Sequence, residues 1–341
     1  MQQTGFEKYI NAFEKKLDSV VVDRISSESY CKKYLSHLLE HKKYYLNIYA
    51  DVFVKLINHS GKDQTGISLL DVGTGNGLMG IFAKFCGFKR VFLMDTDAKF
   101  VDAASKLAGQ LDIKPDGFIT GDINAAQAFF KTGVPDAVVG TDVIEHIYNL
   151  DDFFQNLRQL NPSMVSVFTT ASNPSNYFKV KALQKIQARD EIFGSNGSDL
   201  SGENPHGSFL KMREQIIREH TQGLSEVEIP LLARATRGMD KKDILLAVEN
   251  YRATKNVPSP KHKTNTCDPL TGSWTERLLS KNEYKNIYAK SGFTCSFYPG
   301  FYNDLEGSVI GRFVKKMLNA SNTTFGDKFS PYIVIVSQKN I

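Results

Sequence analysis

The sequence has little of what marks several common classes of protein. Its 341 residues include four cysteines, which are widely spaced and form no Cys-x-x-Cys pair. They therefore predict neither a zinc site nor a disulfide framework. No apolar run is long enough to span a bilayer, and the first residues lack the apolar segment of a signal peptide. We expect a reducing, cytoplasmic location.

The sequence also lacks a strong excess of either charge. The net charge is +5, and the charged residues, 23% of the total, are mixed in sign along the chain. This is typical of an ordinary solvated surface and counts against a nucleic-acid partner. The length exceeds that of one minimal α/β domain, so we expect an added subdomain or a long insertion. The oligomeric state is not indicated by the sequence.

One stretch combines an apolar run, a glycine-rich turn and a helical pattern. Asp71 lies within the run 68–72, glycines follow at positions 73, 75 and 77, and apolar residues at helical spacing begin at Leu78. The pattern predicts a buried strand, a tight turn and a helix. Glycine permits a positive φ and lets the backbone approach a ligand closely. The dinucleotide fingerprint needs a glycine at position 78, so this spacing argues against NAD.

Three more apolar runs follow, and each leads to an acidic residue. Asp95 ends the run 91–94 about twenty residues after the glycine turn, which is where nucleotide-binding folds place a ribose-binding acid. Asp122 and Asp142 follow the next two runs, and Asn173 follows a predicted fifth strand at 164–170. Ligands of parallel sheets bind beyond the carboxyl ends of the strands, so we expect these residues to line one cleft.

In their order, the motifs Leu70-Asp71-Val72-Gly73-Thr74-Gly75-Asn76-Gly77, Met94-Asp95, Gly121-Asp122 and Asp142-Val143-Ile144-Glu145-His146 resemble those of class I S-adenosylmethionine-dependent methyltransferases. The resemblance implies a seven-stranded, mostly parallel, Rossmann-like α/β sheet that ends in an antiparallel hairpin. It also implies that the glycines admit the methionine portion of S-adenosylmethionine, that Asp95 binds its ribose, and that Asp122 binds its adenine. The expected cofactor-binding residues are Asp71, Gly73, Thr74, Gly75, Asn76, Gly77, Asp95, Thr96, Asp122, Ile123 and Asp142.

The chain divides into four predicted parts. Residues 1–60 form an N-terminal helical cap, 61–175 the cofactor-binding core, 176–264 a helical insertion between strands five and six, and 265–341 the rest of the sheet. In the family, N-terminal helices often fold over the cofactor. The insertion is far longer than a turn requires. We interpret it as a substrate lid, with a partner-binding decoration as the alternative.

The residues Asp142, Glu145 and His146 are the first candidates for chemistry. A protonated hydroxyl is a poor nucleophile, so its methylation calls for a base or a metal ion. If a helix follows strand four, the three side chains share one face and could hold Mg²⁺ or Mn²⁺. A similar acid-x-x-Glu-His arrangement binds metal in small-RNA 2′-O-methyltransferases, which have glutamate in place of Asp142, and in ubiquinone-pathway O-methyltransferases. Metal-free members carry a similar Glu-His, and His146 could instead be a general base.

Two other features complete the candidate site. His206, in the insertion, is a further candidate base or ligand. The polar stretch from Asn265 to Arg277 surrounds the single tryptophan, Trp274, and an aromatic face flanked by polar groups suits a sugar. A structured turn with Trp274 in the core is the alternative. The candidate catalytic residues are thus His146, Glu145 and His206, and the candidate substrate-binding residues are Asn173, Trp274 and Arg277.

The sequence therefore predicts an S-adenosylmethionine-dependent O-methyltransferase that acts on a hydroxyl of a small molecule or a glycan sugar. Three alternatives stay open. The first is an RNA 2′-O-methyltransferase with a divalent metal site, the second a non-catalytic protein that binds S-adenosylmethionine, and the third a Rossmann oxidoreductase.

Overall fold

The computed structural model describes residues 5–195, 206–260 and 262–339. The described chain forms two compact units. The first is built from residues within 1–144, 150–170 and 281–341, and the second from residues within 145–149 and 171–280. Among the described helices, none combines the length and the apolar character needed to cross a membrane.

One seven-stranded sheet organises the first unit. The strands are β1 (Ser68–Val72), β2 (Arg90–Asp95), β3 (Gly117–Thr120), β4 (Ala137–Thr141), β5 (Val165–Thr170), β6 (Phe293–Pro299) and β7 (Ile333–Lys339). Their order is β3-β2-β1-β4-β5-β7-β6. Strand β7 is antiparallel to both of its neighbours, and the pairs from β3 to β5 are parallel. The predicted α/β sheet and its final antiparallel hairpin are confirmed.

The helices follow the expected alternation with the strands. In chain order they are α1 (Glu7–Leu17), α2 (Ser29–Glu40), α3 (Lys42–Ser60), α4 (Leu78–Phe85), α5 (Ala98–Gln110), α6 (Ile123–Phe129), α7 (Leu150–Leu160), α8 (Tyr177–Ile192), α9 (Phe209–His220), α10 (Glu228–Ala235), α11 (Lys241–Thr254), α12 (Lys281–Lys290) and α13 (Val309–Phe325). Helices α8 to α11 belong to the second unit, and the others belong to the first.

The N-terminal helices are part of the main core of the first unit. Phe53 of α3 stacks on Phe82 of α4 at a ring-centroid distance of 5.7 Å, and Phe13 of α1 lies 5.1 Å from the same ring. Residues 29–60 of the predicted helical cap do not form one continuous helix. The structure instead has two helices, because the backbone of His41 leaves the helical conformation.

The second unit has its own apolar core between α9, α10 and α11, which includes Ile217, Leu232 and Val248. Helices α8 to α11 fall within the predicted insertion at 176–264, and the unit also includes residues on either side of it. The segment 265–280 lies in this unit and not with the end of the sheet. The reason is its hydrogen bonding: Asn265 Oδ1 accepts from Gln187 Nε2 of α8 over 3.1 Å, and the Thr266 hydroxyl donates to Glu191 of α8 over 2.7 Å.

Candidate active site

The loop between β1 and α4 has the backbone that the glycine spacing predicts. Gly73, Gly75 and Gly77 have φ angles of 63°, 54° and 82°, in the region that side chains other than glycine rarely adopt. The loop is closed by a hydrogen bond of 2.8 Å from the Gly77 N–H to the Thr74 carbonyl. The Thr74 N–H donates to the Met94 carbonyl of β2 over 3.0 Å. The loop is thus held against the adjacent strand.

The space beside these glycines is occupied by protein atoms. A Cβ on Gly73 would lie 2.3 Å from Val143 Cγ2, and a Cβ on Gly75 would lie 3.0 Å from the Tyr34 ring. A Cβ on Gly77 would lie 2.7 Å from Ala104 Cβ. The sequence predicted that the missing side chains let a ligand approach. In the structure their direct effect is to let the segment after β4, together with α2 and α5, pack closely on the loop.

Asp71 and Asn76 support the loop from inside. Asp71 is 1% exposed, and its Oδ2 accepts hydrogen bonds from the Thr74 hydroxyl over 2.6 Å and from the Gly80 N–H over 2.9 Å. Its Oδ1 is buried without a hydrogen-bond partner among the described residues. Burial raises the pKa of Asp71 to about 7, although the two hydrogen bonds oppose this shift. Asn76 is fully buried and donates to the Cys31 carbonyl over 3.0 Å.

Asp95 lies at the carboxyl end of β2, beside the loop. Its Oδ2 accepts from the Gly75 N–H over 2.9 Å, and its Oδ1 accepts from the Asp97 N–H over 3.0 Å. Burial raises the pKa of Asp95, and the hydrogen bonds oppose this shift. Each carboxylate oxygen has a second lone pair, so the group can also accept bonds from ligand hydroxyls. The neighbouring Thr96 is exposed.

Asp122 has a second use in the structure, as the N-cap of α6. Its Oδ1 accepts from the Asn124 N–H over 3.0 Å, and its Oδ2 accepts from the Asn124 side chain over 3.0 Å. The carboxylate is exposed, whereas the side chain of Ile123 is buried. This arrangement fixes the carboxylate at the end of β3, where the sequence predicted contact with adenine.

Asp142, the residue after β4, has tyrosines around it. It is exposed and has a φ of 51°. Burial raises the pKa values of the surrounding phenols, and the negative charge of Asp142 adds to the shift; Tyr45, for example, reaches about 12. The tyrosines whose pKa the charge of Asp142 raises are Tyr34, Tyr44, Tyr45, Tyr49 and Tyr332. Asp95 also raises the pKa of Tyr34, which places both carboxylates near that ring.

The resemblance implied N-terminal helices over the cofactor, but the sequence did not mark Tyr34 or Tyr332 as residues near the site. Tyr34 lies on α2 at helical spacing from Tyr30, and this aromatic pattern was visible in the sequence. Tyr332 precedes β7, far along the chain, and no local pattern marks it. Its position follows only from the placement of β7 between β5 and β6.

The helix that the sequence predicted directly after β4 is not formed. Residues 144–146 make a turn, and α7 begins at Leu150. The carbonyl groups of Glu145 and His146 accept hydrogen bonds from the N–H groups of Arg277 and Trp274 over 3.4 Å and 3.2 Å, in place of bonds within a helix. Asp142, Glu145 and His146 therefore do not share one face of a helix. Their role as metal ligands stays a prediction.

His146 has a defined proton arrangement. Its Nδ1 lies 2.8 Å from the carbonyl oxygen of Trp274. A carbonyl oxygen only accepts hydrogen bonds, so Nδ1 carries the proton and the neutral ring has its lone pair on Nε2. The imidazole is half-buried, and the neighbouring Glu145 is 1% exposed. His146 is thus in the tautomer that can accept a proton at Nε2.

Trp274 is packed inside the second unit and is 8% exposed. Its ring stacks on Tyr148 at 5.9 Å and lies 4.4 Å from the Arg277 guanidinium, and its Nε1 donates to the Tyr148 carbonyl over 3.1 Å. Stacking on a sugar requires an exposed face. The burial of Trp274 therefore favours the alternative in which this residue belongs to the core. Arg277 takes part in the same packing.

Asn173 and His206 also have local partners. Asn173 is fully buried, and its Oδ1 accepts from the Ser175 N–H over 2.9 Å, which shapes the turn before α8. The ring of His206 stacks on Phe209 at 4.4 Å, and its Nδ1 lies 2.9 Å from the Gly207 carbonyl. Their proposed roles in substrate binding and catalysis stay predictions.

A seven-stranded sheet of this order, with a glycine loop after β1 and acidic residues after β2 to β4, is the Rossmann-like methyltransferase fold. A model of the methyltransferase domain matches residues 36–214, just over half of the chain. The chain belongs to this family and is an S-adenosylmethionine-dependent methyltransferase. No curated protein sequence gives a significant match.

Several of the solved structures that match this chain are described as methyltransferases. The carbon methyltransferase CurJ is 16% identical, with 82% of this chain and 50% of that chain covered and a TM-score of 0.38, so this chain spans half of its length. The magnesium protoporphyrin IX methyltransferase of Synechocystis PCC 6803 is 13% identical, with 86% and 82% covered and a TM-score of 0.39. The plantazolicin methyltransferase BpumL is 12% identical, with 98% and 99% covered and a TM-score of 0.40. Such values carry no argument about the methyl acceptor.

Proposed function

We propose that the protein methylates a hydroxyl oxygen of a small molecule or a glycan sugar, with His146 as the general base. The observation that carries this proposal is the hydrogen bond of 2.8 Å between His146 Nδ1 and the Trp274 carbonyl. It fixes the ring and leaves Nε2 as the proton acceptor. A hydroxyl needs such a base, because its protonated oxygen is a weak nucleophile.

The cofactor site fits S-adenosylmethionine. Gly75 and Asp95 are joined at the end of β2, and Asp95 keeps lone pairs for the two ribose hydroxyls. Thr96 lies beside it. Asp122 and Ile123, at the end of β3, would contact the adenine, and the loop 73–77 would hold the methionine portion. The buried Oδ1 of Asp71, which has no partner among the described residues, is a further acceptor at this loop.

The protein has two tasks in the proposed reaction, to position the acceptor and to accept its proton. S-adenosylmethionine supplies the methyl group already activated as an electrophile. The protein must align the acceptor oxygen with the methyl group, and His146 Nε2 must take the hydroxyl proton as the new oxygen–carbon bond forms. The imidazolium is stabilised by its Nδ1–H bond to the Trp274 carbonyl. The proton then passes to solvent, which restores the neutral ring.

The residues around Asp142 support an uncharged, hydroxylated acceptor. Phenol groups and one carboxylate can contact the rings and hydroxyls of such a molecule. Phosphate groups of RNA are bound mainly by lysine and arginine, and the negative charge of Asp142 would repel them. This favours a small molecule or a glycan over RNA.

The test transfers labelled methyl from S-adenosylmethionine into an extract of the source cells, which is then separated into glycan, nucleic-acid, protein and small-molecule pools. We expect label in the glycan or small-molecule pool. His146→Asn keeps a donor for the Trp274 carbonyl but removes the base, so turnover should fall by about 10²–10⁴-fold. His220→Asn, at an exposed position on α9, is the matched control and should retain full turnover.

Three results would contradict the proposal. Full turnover by His146→Asn would show that His146 is not the general base. Label confined to a ribonuclease-sensitive pool would support the RNA 2′-O-methyltransferase. Loss of turnover in excess chelator, with recovery on adding Mg²⁺ or Mn²⁺, would support metal binding by Asp142, Glu145 and His146 in place of base catalysis.

A further inference from the structure

The last turn of α2 brings together three side chains that can bind a metal ion. His37, Glu40 and His41 stand at positions i, i+3 and i+4, which places them on one face of the helix end. One ligand atom from each residue lies within 4.8 Å of the others. In the part of the chain that the structure describes, this is the one group of three histidine, cysteine or acidic residues with such spacing.

A potential metal ligand followed three residues later by Glu-His occurs twice in the sequence. Metal binding was predicted only for the copy at residues 142–146. His37-Leu38-Leu39-Glu40-His41 has the same spacing as Asp142-Val143-Ile144-Glu145-His146. The second copy forms a turn, whereas the first ends a regular helix. The geometry that the sequence assigned to residues 142–146 is therefore found at residues 37–41.

The donor set points to zinc. Two imidazole nitrogens and one carboxylate oxygen are a common zinc ligand set, with the fourth position left for water or another ligand. Two histidines one turn apart on a helix are a recurrent zinc-binding arrangement. Mg²⁺ and Ca²⁺ prefer sites made of oxygen atoms only, so two histidines in a set of three favour a transition metal over either ion.

Further residues hold the two imidazoles in place. The carboxylate of Glu306 lies 2.5 Å from His41 Nδ1, and the hydroxyl of Tyr45 lies 3.0 Å from His37 Nε2. Oxygen atoms that contact the rings of metal-binding histidines orient them and raise affinity.

We propose that His37, Glu40 and His41 form a zinc site at the junction of α2 and α3, with Glu306 and Tyr45 as supporting residues. The site lies where the backbone of His41 breaks the helical stretch, so a bound ion fixes this junction. The site also lies near the proposed cofactor region. Tyr45 contacts His37, and the negative charge of Asp142 acts on the same tyrosine. The proposal does not depend on the acceptor or on the role of His146.

The experiment titrates the full chain, freed of metal, with Zn²⁺ in competition with a chromophoric chelator. We expect one equivalent to bind. His37→Ala/His41→Ala should abolish this equivalent, and Glu306→Gln should lower the affinity by about 10–100-fold. His220→Ala removes an exposed histidine outside the cluster and is the matched control. Its affinity should equal that of the wild type.

Cobalt gives a second, spectroscopic measurement. Co²⁺ in the same site should produce visible absorption bands that are absent from the double variant. Circular dichroism of the metal-free variants shows whether they fold. The proposal is overturned if the wild type binds no saturable equivalent, or if a folded double variant retains it.

Discussion

The carboxylate of Asp95 accepts a hydrogen bond from the backbone N–H of Gly75 over 2.9 Å, and this bond joins the end of β2 to the middle of the glycine loop. One side chain thus fixes the loop and stands where the ribose of the cofactor is proposed to bind. Because one carboxylate has both roles, its removal should weaken the binding of the cofactor.

Asp95→Ala should raise the dissociation constant of S-adenosylhomocysteine at least tenfold. A hydrogen bond to a charged group contributes about 1.5–3 kcal/mol, and about 1.4 kcal/mol corresponds to a factor of ten. Isothermal titration calorimetry measures the change. Asp102→Ala, which removes an exposed carboxylate of α5 that pairs with Lys106, is the control and should bind as the wild type does. An unchanged constant for Asp95→Ala would remove the ribose assignment.

Gly73→Ala should destabilise the protein more than Gly61→Ala. The two glycines have φ angles of 63° and 65°, so the backbone strain of alanine is similar at both. A Cβ at position 73 would lie 2.3 Å from Val143 Cγ2, whereas a Cβ at position 61 has no atom within 4 Å. Urea denaturation gives the two free energies of unfolding, and their difference isolates the contact with Val143.

Adding Val143→Ala to Gly73→Ala should recover part of the loss, because the clashing methyl groups are removed. Such non-additivity is expected of residues in direct contact. Equal destabilisation by Gly73→Ala and Gly61→Ala would show that the loop can move away from Val143, and would contradict the close packing described above.

Stability should depend on pH through Asp71. The pKa of this buried carboxyl is about 7 in the folded protein, above its ordinary value of 3.8. The folded state therefore binds the proton more tightly than the unfolded state. The resulting stabilisation is full below about pH 4, declines as the pH rises, and is lost above about pH 7.

Asp71→Asn keeps an oxygen that can accept from Thr74 and Gly80 but cannot ionise. Compared with the wild type, the variant should gain stability as the pH rises from 5 to about 7, by about 1.4 kcal/mol for each pH unit, and no further above that. Thermal or urea unfolding at several pH values measures this difference. A difference that is constant across the range would show that Asp71 does not titrate there.

Much of the sheet was predictable because its signals are local. The apolar runs, the spacing of the three loop glycines and the acids that follow specified four strands in order. Ser225 and Glu228 likewise have the local spacing of a capping box, and the structure contains this box at the start of α10. These features depend on residues close in sequence.

The candidate site was harder to predict, because distant segments decide it. The turn at residues 144–146 exists because the N–H groups of Trp274 and Arg277 take the carbonyl groups that a helix would use. The same contact places Trp274 in a packed core. Likewise, the proposed site at residues 37–41 includes Glu306, which lies beside His41 but is 265 residues away along the chain. Short-range patterns do not contain such pairings.

The position of β7 has a consequence for how the protein is made. This strand is the last in the described chain, yet it lies inside the sheet, between β5 and β6. Strand β6 pairs only with β7 among the described strands. During synthesis, the edge of β5 therefore stays open until residues 333–339 emerge from the ribosome. Loss of residues 333–339 would remove an interior strand and the strand with which β6 pairs.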